Sequence, residues 1–256
     1  MPPPRRYNNF YEISTSKQLS AEAKKLDYFF VDNDWEIEIK GLVETPLKLK
    51  VSELIQRVHL EERLYRHRCV EAWAISAPWN GFPLAKLLDM VSPLSTAKYV
   101  KFTTYLNSTV TPNQKKLSWY PWPYVEAITI EEARNELAFL TVGAYGKPLG
   151  SSNGAPIRLT LPWKYGFKSA KSIRTIEFTS TRPTTFWEAV NFQEYGFWAN
   201  VNPEKPHRRW SQATERKIIE SSYTSVRIDT QKFNGYEEEV GYLYKDYDET
   251  VEDLWH

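Results

Sequence analysis

The 256-residue sequence has a single cysteine, Cys69. One thiol excludes an intramolecular disulfide, a four-cysteine zinc finger and an iron–sulfur cluster held by four cysteines. An excess of one charge is missing too. Lys+Arg number 33 against 32 Asp+Glu, a formal net charge of +1, so no global field points to nucleic acid or a membrane surface. No window approaches the run of about 18 apolar residues that a membrane-spanning helix needs. Arg5-Arg6 is followed by Tyr7-Asn8-Asn9-Phe10-Tyr11-Glu12 rather than by an apolar stretch, so no signal peptide is expected in this chain. The four histidines, His59, His67, His207 and His256, show no metal-type spacing. H-E-x-x-H, G-x-S-x-G, P-loop and G-x-G-x-x-G patterns are absent, which removes the common zinc, hydrolase and nucleotide readings.

Aromatic residues are plentiful: 10 Trp, 16 Tyr and 12 Phe. Such side chains suit packing around a flat ligand, and equally a β-rich core. With 41% hydrophobic residues the chain can bury a full core. Residues 35–39 alternate apolar and charged side chains, the pattern of a half-buried strand. Strands are also expected at 98–105, 139–142, 157–161 and 173–179. Short helices are expected near 21–26, from Ser52 as a cap to about 59, and after Pro83 with Leu84, Leu87, Leu88 and Val91 as the apolar stripe. Thr129 and Glu132 fit a capping box for a helix to about 137. Residues 77–83 read as a turn and 107–119 as a long surface loop. Strands and helices intermix without a regular βαβ beat, which predicts an α+β fold in one domain spanning 1–256, with an amino-terminal arm at 1–16 and an acidic tail at 236–256. The tail (Glu237, Glu238, Glu239, Asp246, Asp248, Glu249, Glu252 and Asp253) is expected to be solvated.

Two stretches carry possible chemistry. In Tyr65-Arg66-His67-Arg68-Cys69-Val70-Glu71-Ala72-Trp73, cations precede the lone thiol, and a nearby cation favours the thiolate. Cys69 is a soft metal ligand, a nucleophile or a buried apolar residue. His207 is the candidate partner if it is a nucleophile, although nothing local supports that pairing. The second stretch holds Arg158, Lys164, Lys168, Lys171 and Arg174 with no acid among them. Cations with backbone N–H groups at a turn form a phosphate site; the plainer alternative is an exposed basic face.

Six motifs in series carry a resemblance: Asn8-Asn9-Phe10-Tyr11-Glu12, Arg68-Cys69-Val70-Glu71-Ala72-Trp73, Gly81-Phe82-Pro83-Leu84, Asn153-Gly154-Ala155-Pro156-Ile157-Arg158, Pro162-Trp163-Lys164-Tyr165-Gly166-Phe167-Lys168 and Arg209-Trp210-Ser211-Gln212-Ala213-Thr214-Glu215-Arg216. The chain resembles the catalytic subunits of bacterial periplasmic protein-methionine-sulfoxide reductases, molybdenum enzymes with the sulfite oxidase fold. The resemblance implies a molybdopterin cofactor whose molybdenum takes Cys69 as its protein ligand. It places pterin and phosphate contacts on Asn8, Tyr11, Glu12, Thr104, Asn153, Arg158, Ser169, Ala170 and Lys171. It also implies oxygen-atom transfer from methionine sulfoxide in oxidised proteins, a repair activity in the periplasm, and a haem-bearing membrane subunit as electron donor. Sulfite oxidation, or reduction of another small S- or N-oxide, is the alternative with the same cofactor. An aromatic-rich binding module without enzymatic activity is the remote one. Glu71, two residues past Cys69, is the candidate hydrogen bonder or proton source beside the metal. Its alternative is a surface carboxylate paired with Arg66 or Arg68. Those two arginines are expected to balance an anionic cofactor, and Tyr195 and Trp198 are candidates for the substrate mouth. With no room for an additional dimerisation domain, a monomer is expected.

Overall fold

The computed structural model describes residues 8–31, 34–219, 224–247 and 255. In chain order the strands are β1 (Glu36–Gly41), β2 (Leu47–Lys50), β3 (Glu61–Cys69), β4 (Trp73–Pro83), β5 (Tyr99–Thr104) and β6 (Val125–Thr129). They continue with β7 (Phe139–Ala144), β8 (Lys147–Pro148), β9 (Arg158–Thr160), β10 (Ile173–Thr179), β11 (Thr214–Ile219) and β12 (Thr224–Asp229). The helices are short: α1 (Ser20–Lys24), α2 (Asp27–Phe30), α3 (Val51–Gln56), α4 (Leu84–Val91), α5 (Pro112–Lys116), α6 (Ile130–Arg134), α7 (Phe186–Asn191) and α8 (Glu237–Val240). None among the described residues is long and apolar enough to cross a membrane.

One sheet runs β2-β1-β10-β5-β6 and is antiparallel except at β1 against β10. The other runs β12-β11-β4-β7-β8, with β3 added along β4 and β9 along β7. Strands and helices intermix, and the result is the α+β class that the sequence pattern predicts. Alternation builds the first sheet: Ile37 and Ile39 of β1, Val100 and Phe102 of β5, and Ile176 and Phe178 of β10 are all buried. Helix α4 buries Leu84, Leu87, Leu88 and Val91 completely, each worth about 1.5–3 kcal/mol of transfer free energy. The capping box at α6 forms as expected, with Thr129 Oγ1 accepting from Glu132 N and Glu132 Oε2 accepting from Thr129 N.

Four expectations need correction. Residues 77–83 are not a turn but the second half of β4, because Pro78 and Pro83 fall where this long strand is paired by β3 and then β7. Helix α3 takes Lys50 as its N-cap, in extended backbone, and Ser52 lies inside it. The loop at 107–119 contains α5, entered by a proline whose missing N–H costs nothing at a helix start. The acidic tail is only partly solvated. Glu237, Glu238 and Glu239 face water, but Val240 and Tyr244 are buried, and the Tyr244 hydroxyl donates to Glu132 Oε1 at 2.6 Å. Asp248, Glu249, Glu252 and Asp253 lie outside the described residues, as do Arg5, Arg6 and Tyr7.

Candidate active site

Strand β3 presents the thiol. Tyr65, His67 and Cys69 alternate onto one face, and Cys69 is the last residue before the three-residue turn Val70-Glu71-Ala72. Ala72 N donates to Cys69 O at 3.1 Å, and Ala72 adopts φ 60°, the left-handed position that closes a three-residue hairpin. The turn is held from behind. Trp210 Nε1 and Gln212 Nε2 both donate to Val70 O, at 2.8 and 2.9 Å, and Arg216 N donates to Ala72 O at 2.9 Å.

Arg68 faces the opposite side of β3. It is wholly buried, donating from Nε to Glu215 Oε2 at 2.8 Å, from Nη2 to Gln212 Oε1 at 2.8 Å, and from Nη1 to the Cys69 carbonyl. Arg66 takes the other oxygen of the same carboxylate, Nη2 to Glu215 Oε1 at 2.6 Å. Glu215 therefore holds both arginines with one carboxylate, so the trio keeps one net positive charge beneath the thiol. The two arginines brace the hairpin, and Glu71 pairs with neither. The Glu71 carboxylate meets Lys17 Nζ at 2.5 Å. The strand ends before Glu71, so it is the turn, not a shared strand face, that brings it close to Cys69.

Asn9 joins these groups. Its Nδ2 donates to Glu71 Oε2 at 3.3 Å and lies 3.5 Å from Cys69 Sγ, while its Oδ1 accepts from Lys17 Nζ at 3.3 Å. An ammonium can only donate, so this contact fixes which way the carboxamide points. Burial pushes the Cys69 thiol up to about 12, with the nearby Glu71 charge adding to it. Alone at neutral pH it is a protonated, poor nucleophile; a bound metal deprotonates such a thiol.

A cavity opens at Cys69; with the open solvent at its mouth the space amounts to about 680 Å³. Its walls include Asn8, Tyr11, Glu12, Arg158, Ser169, Ala170 and Lys171. Asn153 stands one step behind, accepting from Asn8 Nδ2 at 2.9 Å and lining a small adjoining space with Asn8, His67 and Arg158. Thr104 does not reach the wall; it lies under the arm beside the buried Glu12. Eight of the eleven residues singled out in the sequence (Asn8, Tyr11, Glu12, Cys69, Arg158, Ser169, Ala170, Lys171) share this cavity, while Asn153, Thr104 and Glu71 are not in its lining.

The amino-terminal arm is the cavity's second wall. Lys171 Nζ donates to Asn8 Oδ1 at 2.7 Å, Asn9 O at 2.8 Å and Ser152 O at 3.1 Å. Asn113 of α5 holds the arm from outside, donating from Nδ2 to Tyr11 O at 2.8 Å and from N to Glu12 O at 3.2 Å. Burial raises the Glu12 carboxyl to about 7, although its own backbone, Lys171 and Thr104 pull it back. Burial also holds Lys171 well below the usual lysine range, and Arg158 down at about 10.

The basic segment divides in two. Lys164 and Lys168 form buried pairs with Glu132 at 2.5 Å and Glu126 at 2.6 Å, so they belong to the core. Arg174 lies over the Trp35 ring at 3.6 Å. Neither an exposed face nor a five-residue phosphate site describes it. Arg158 and Lys171 remain, and among the described residues neither forms an ion pair with a carboxylate. Arg158 donates to the carbonyls of Asn153, Leu159 and Ser169. Two buried cations without a carboxylate are costly, and a bound anion relieves that cost. Ser169 Oγ accepts from Leu161 N at 3.2 Å, leaving its O–H free to donate.

The residues that sequence reasoning passed over are His67, Asn9, Tyr124 and Trp187. His67 lines the cavity, and burial next to Arg158 and Lys171 keeps it neutral, with its pKa lowered to about 3. Its signal was the period-two step from Cys69. Gly166 makes room for it, since a Cβ there would lie 2.4 Å from His67 Nε2. Asn9 stood inside a quoted motif. Tyr124 and Trp187 carried no local signal. Of the two mouth candidates, Tyr195 lines the cavity, while Trp198 packs in the core, 4.7 Å from the Tyr247 ring. His207 lies outside the Cys69 cavity, stacked on Trp210 at 3.8 Å, so no Cys–His pair forms.

Residues 25–187 match the family model described as the oxidoreductase molybdopterin binding domain. The chain belongs to this molybdopterin-binding oxidoreductase family. It is 46% identical over 239 residues to a protein-methionine-sulfoxide reductase catalytic subunit of Pseudomonas syringae pv. tomato, covering 93% of this chain and 70% of the relative. Against the Campylobacter jejuni protein of the same name the identity is 49% over 245 residues, covering 94% and 79%. Among solved structures, the sulfane dehydrogenase of Paracoccus pantotrophus matches with a TM-score of 0.51 and 18% identity over 75% of this chain and 48% of that one. That likeness concerns the fold alone, which is of the sulfite oxidase type. As a family member the chain is an enzyme, a molybdopterin-dependent oxidoreductase.

Proposed function

We propose that this chain is the catalytic subunit of a repair system that reduces methionine sulfoxide in proteins back to methionine. The two curated relatives, each named for that activity and covered over most of their length, support the substrate class. The observation that carries the reading is Cys69 at the tip of a braced hairpin, in one cavity with two buried cations that form no carboxylate ion pair among the described residues.

The residues present fit a molybdenum–pterin group. Cys69 supplies a soft sulfur to the metal. Among the described residues no three His, Cys, Asp or Glu side chains form a metal-binding cluster, so Cys69 would be the protein's ligand and the cofactor would supply the other donors. Arg158, Lys171 and the Ser169 hydroxyl hold its phosphate. Asn8, Tyr11, Glu12, Asn153 and Ala170 hold the pterin, with Thr104 supporting Glu12. When bound, the group supplies a two-electron centre for oxygen-atom transfer. Reduction of a sulfoxide breaks the S–O bond, consumes two electrons and two protons, and releases a thioether and water. Asn9 Nδ2 points at the sulfur of Cys69 and orients an oxide brought there. Glu71, in contact with Lys17 at the cavity edge, passes protons inward from solvent.

The reading also places the protein in the periplasm, as a single-domain monomer fed electrons by a haem-bearing membrane subunit. A metal and pterin assay on freshly purified holoenzyme tests the core of it. About one molybdenum per chain is expected, the stoichiometry of a single thiolate ligand. Cys69→Ser should abolish sulfoxide reduction and strip the metal while circular dichroism stays unchanged. A folded native preparation without metal or pterin, or a fully active serine variant, overturns the assignment.

A further inference from the structure

We propose that an aromatic ridge at the cavity mouth is a docking strip for the extended polypeptide that carries the oxidised methionine. The inference rests on the sulfoxide reading and names the form in which that substrate arrives. Trp187 lines the cavity, its ring 5.1 Å from Tyr11 and 6.2 Å from Tyr120. Tyr120 is in turn 6.1 Å from Trp119, which is 71% exposed. The rings thus form one path from the reaction cavity to open solvent.

The turn that carries the outer ring is hydrogen-bonded on the carboxyl side of Trp119. Tyr120 N and Trp122 Nε1 both donate to Leu117 O, at 3.0 and 2.9 Å, and Trp122 N donates to Tyr120 O at 2.8 Å. A large apolar ring on a fixed turn gives up little conformational freedom when covered, which is how rigid aromatic anchors gain affinity. Residues 107–123 include Lys115 and Lys116 and no acid. The rings stand at 65–78° to one another, a corrugated apolar path that takes the apolar side chains of an extended segment with little sequence preference. A folded surface cannot follow it into the cavity, whereas an extended segment places its methionine sulfoxide inside and its flanking residues on the ridge.

The test uses holoenzyme with a reduced viologen dye as electron donor and two substrates, a methionine-oxidised unfolded casein and dimethyl sulfoxide. Trp119→Ala is expected to lower kcat/KM on the oxidised casein about tenfold through KM, the effect of losing one or two stacking contacts. Dimethyl sulfoxide kinetics and the thermal midpoint should not change, and Trp119→Phe should restore most of the loss. Equal effects on both substrates, or none on the casein, overturn the docking strip while leaving the sulfoxide reading intact. Self-association that disappears in Trp119→Ala would assign the ridge to a second copy of the chain and overturn it as well. Wild-type enzyme that reduces neither sulfoxide overturns both readings together.

Discussion

Glu12 belongs to the arm and lines the cavity, with its carboxyl raised from 4.5 to about 7, and burial is the main cause. Between those values the folded chain keeps a proton that the unfolded chain has released. Folding stability therefore falls as pH rises from about 4.5 to about 7 and stays lower above it; the loss amounts to about 3 kcal/mol. Glu12→Gln removes this contribution and leaves Glu126 and His67, which titrate in the same range, common to both proteins. In urea titrations of the cofactor-free chain, the variant should be the more stable protein at pH 8, and the difference should close by about pH 4.5. A constant difference across that range would show that Glu12 does not titrate there. The residues that titrate abnormally could not be picked out in the sequence. Glu12, Lys171 and His67 owe their shifts to burial, and burial depends on what the rest of the chain lays over them.

The hairpin β3–β4 depends on a carboxylate from a distant strand. Glu215 of β11 is fully buried and takes both Arg66 and Arg68, and Arg68 in turn donates to the Cys69 carbonyl. Glu215→Gln leaves two guanidinium groups without their counter-charge beneath the thiol. It should cost about 3–5 kcal/mol, the usual penalty for breaking a buried pair from one side. Chemical denaturation measures this directly, and a loss under 1 kcal/mol would mean the arginines find other partners. Element types with a clear period were legible beforehand: the alternation of β1, the stripe of α4 and the capping box of α6. Strand β4 was not, because Pro78, Gly81 and Pro83 carry turn signals that tertiary pairing overrides. The bracing role of Arg66 and Arg68 is not legible for a similar reason, since the acid that holds them lies about 150 residues away in sequence.

The arm bridges the molecule. It crosses from Lys171 and the Ser152 carbonyl, through Asn8 and Asn9, to Asn113 of α5, and closes one side of the cavity. Deleting residues 1–16 removes two of the three acceptors of the buried Lys171 ammonium and the backbone partners of Asn113. The truncated chain should lose about 5–10 kcal/mol of stability, because the buried Phe10 and Ile13 side chains go together with the partners of buried polar groups, and bind no molybdenum. Full metal content after truncation would show that the arm is not part of the site.

The order of motifs from Asn8 to Arg216 is enough to assign the fold class and the family, because each motif is a local run whose chemistry survives in the linear chain. Cys69 was singled out from the start, as a lone thiol among cations, and it keeps that place at the tip of its hairpin. Tertiary structure alone sorted the charges. Lys164 and Lys168 went to Glu132 and Glu126, Arg66 and Arg68 to Glu215, and Glu71 to Lys17, which left Arg158 and Lys171 as the buried cations facing the cavity. A charge's role depends on which opposite charge reaches it and how much water remains, and both are properties of the packed chain.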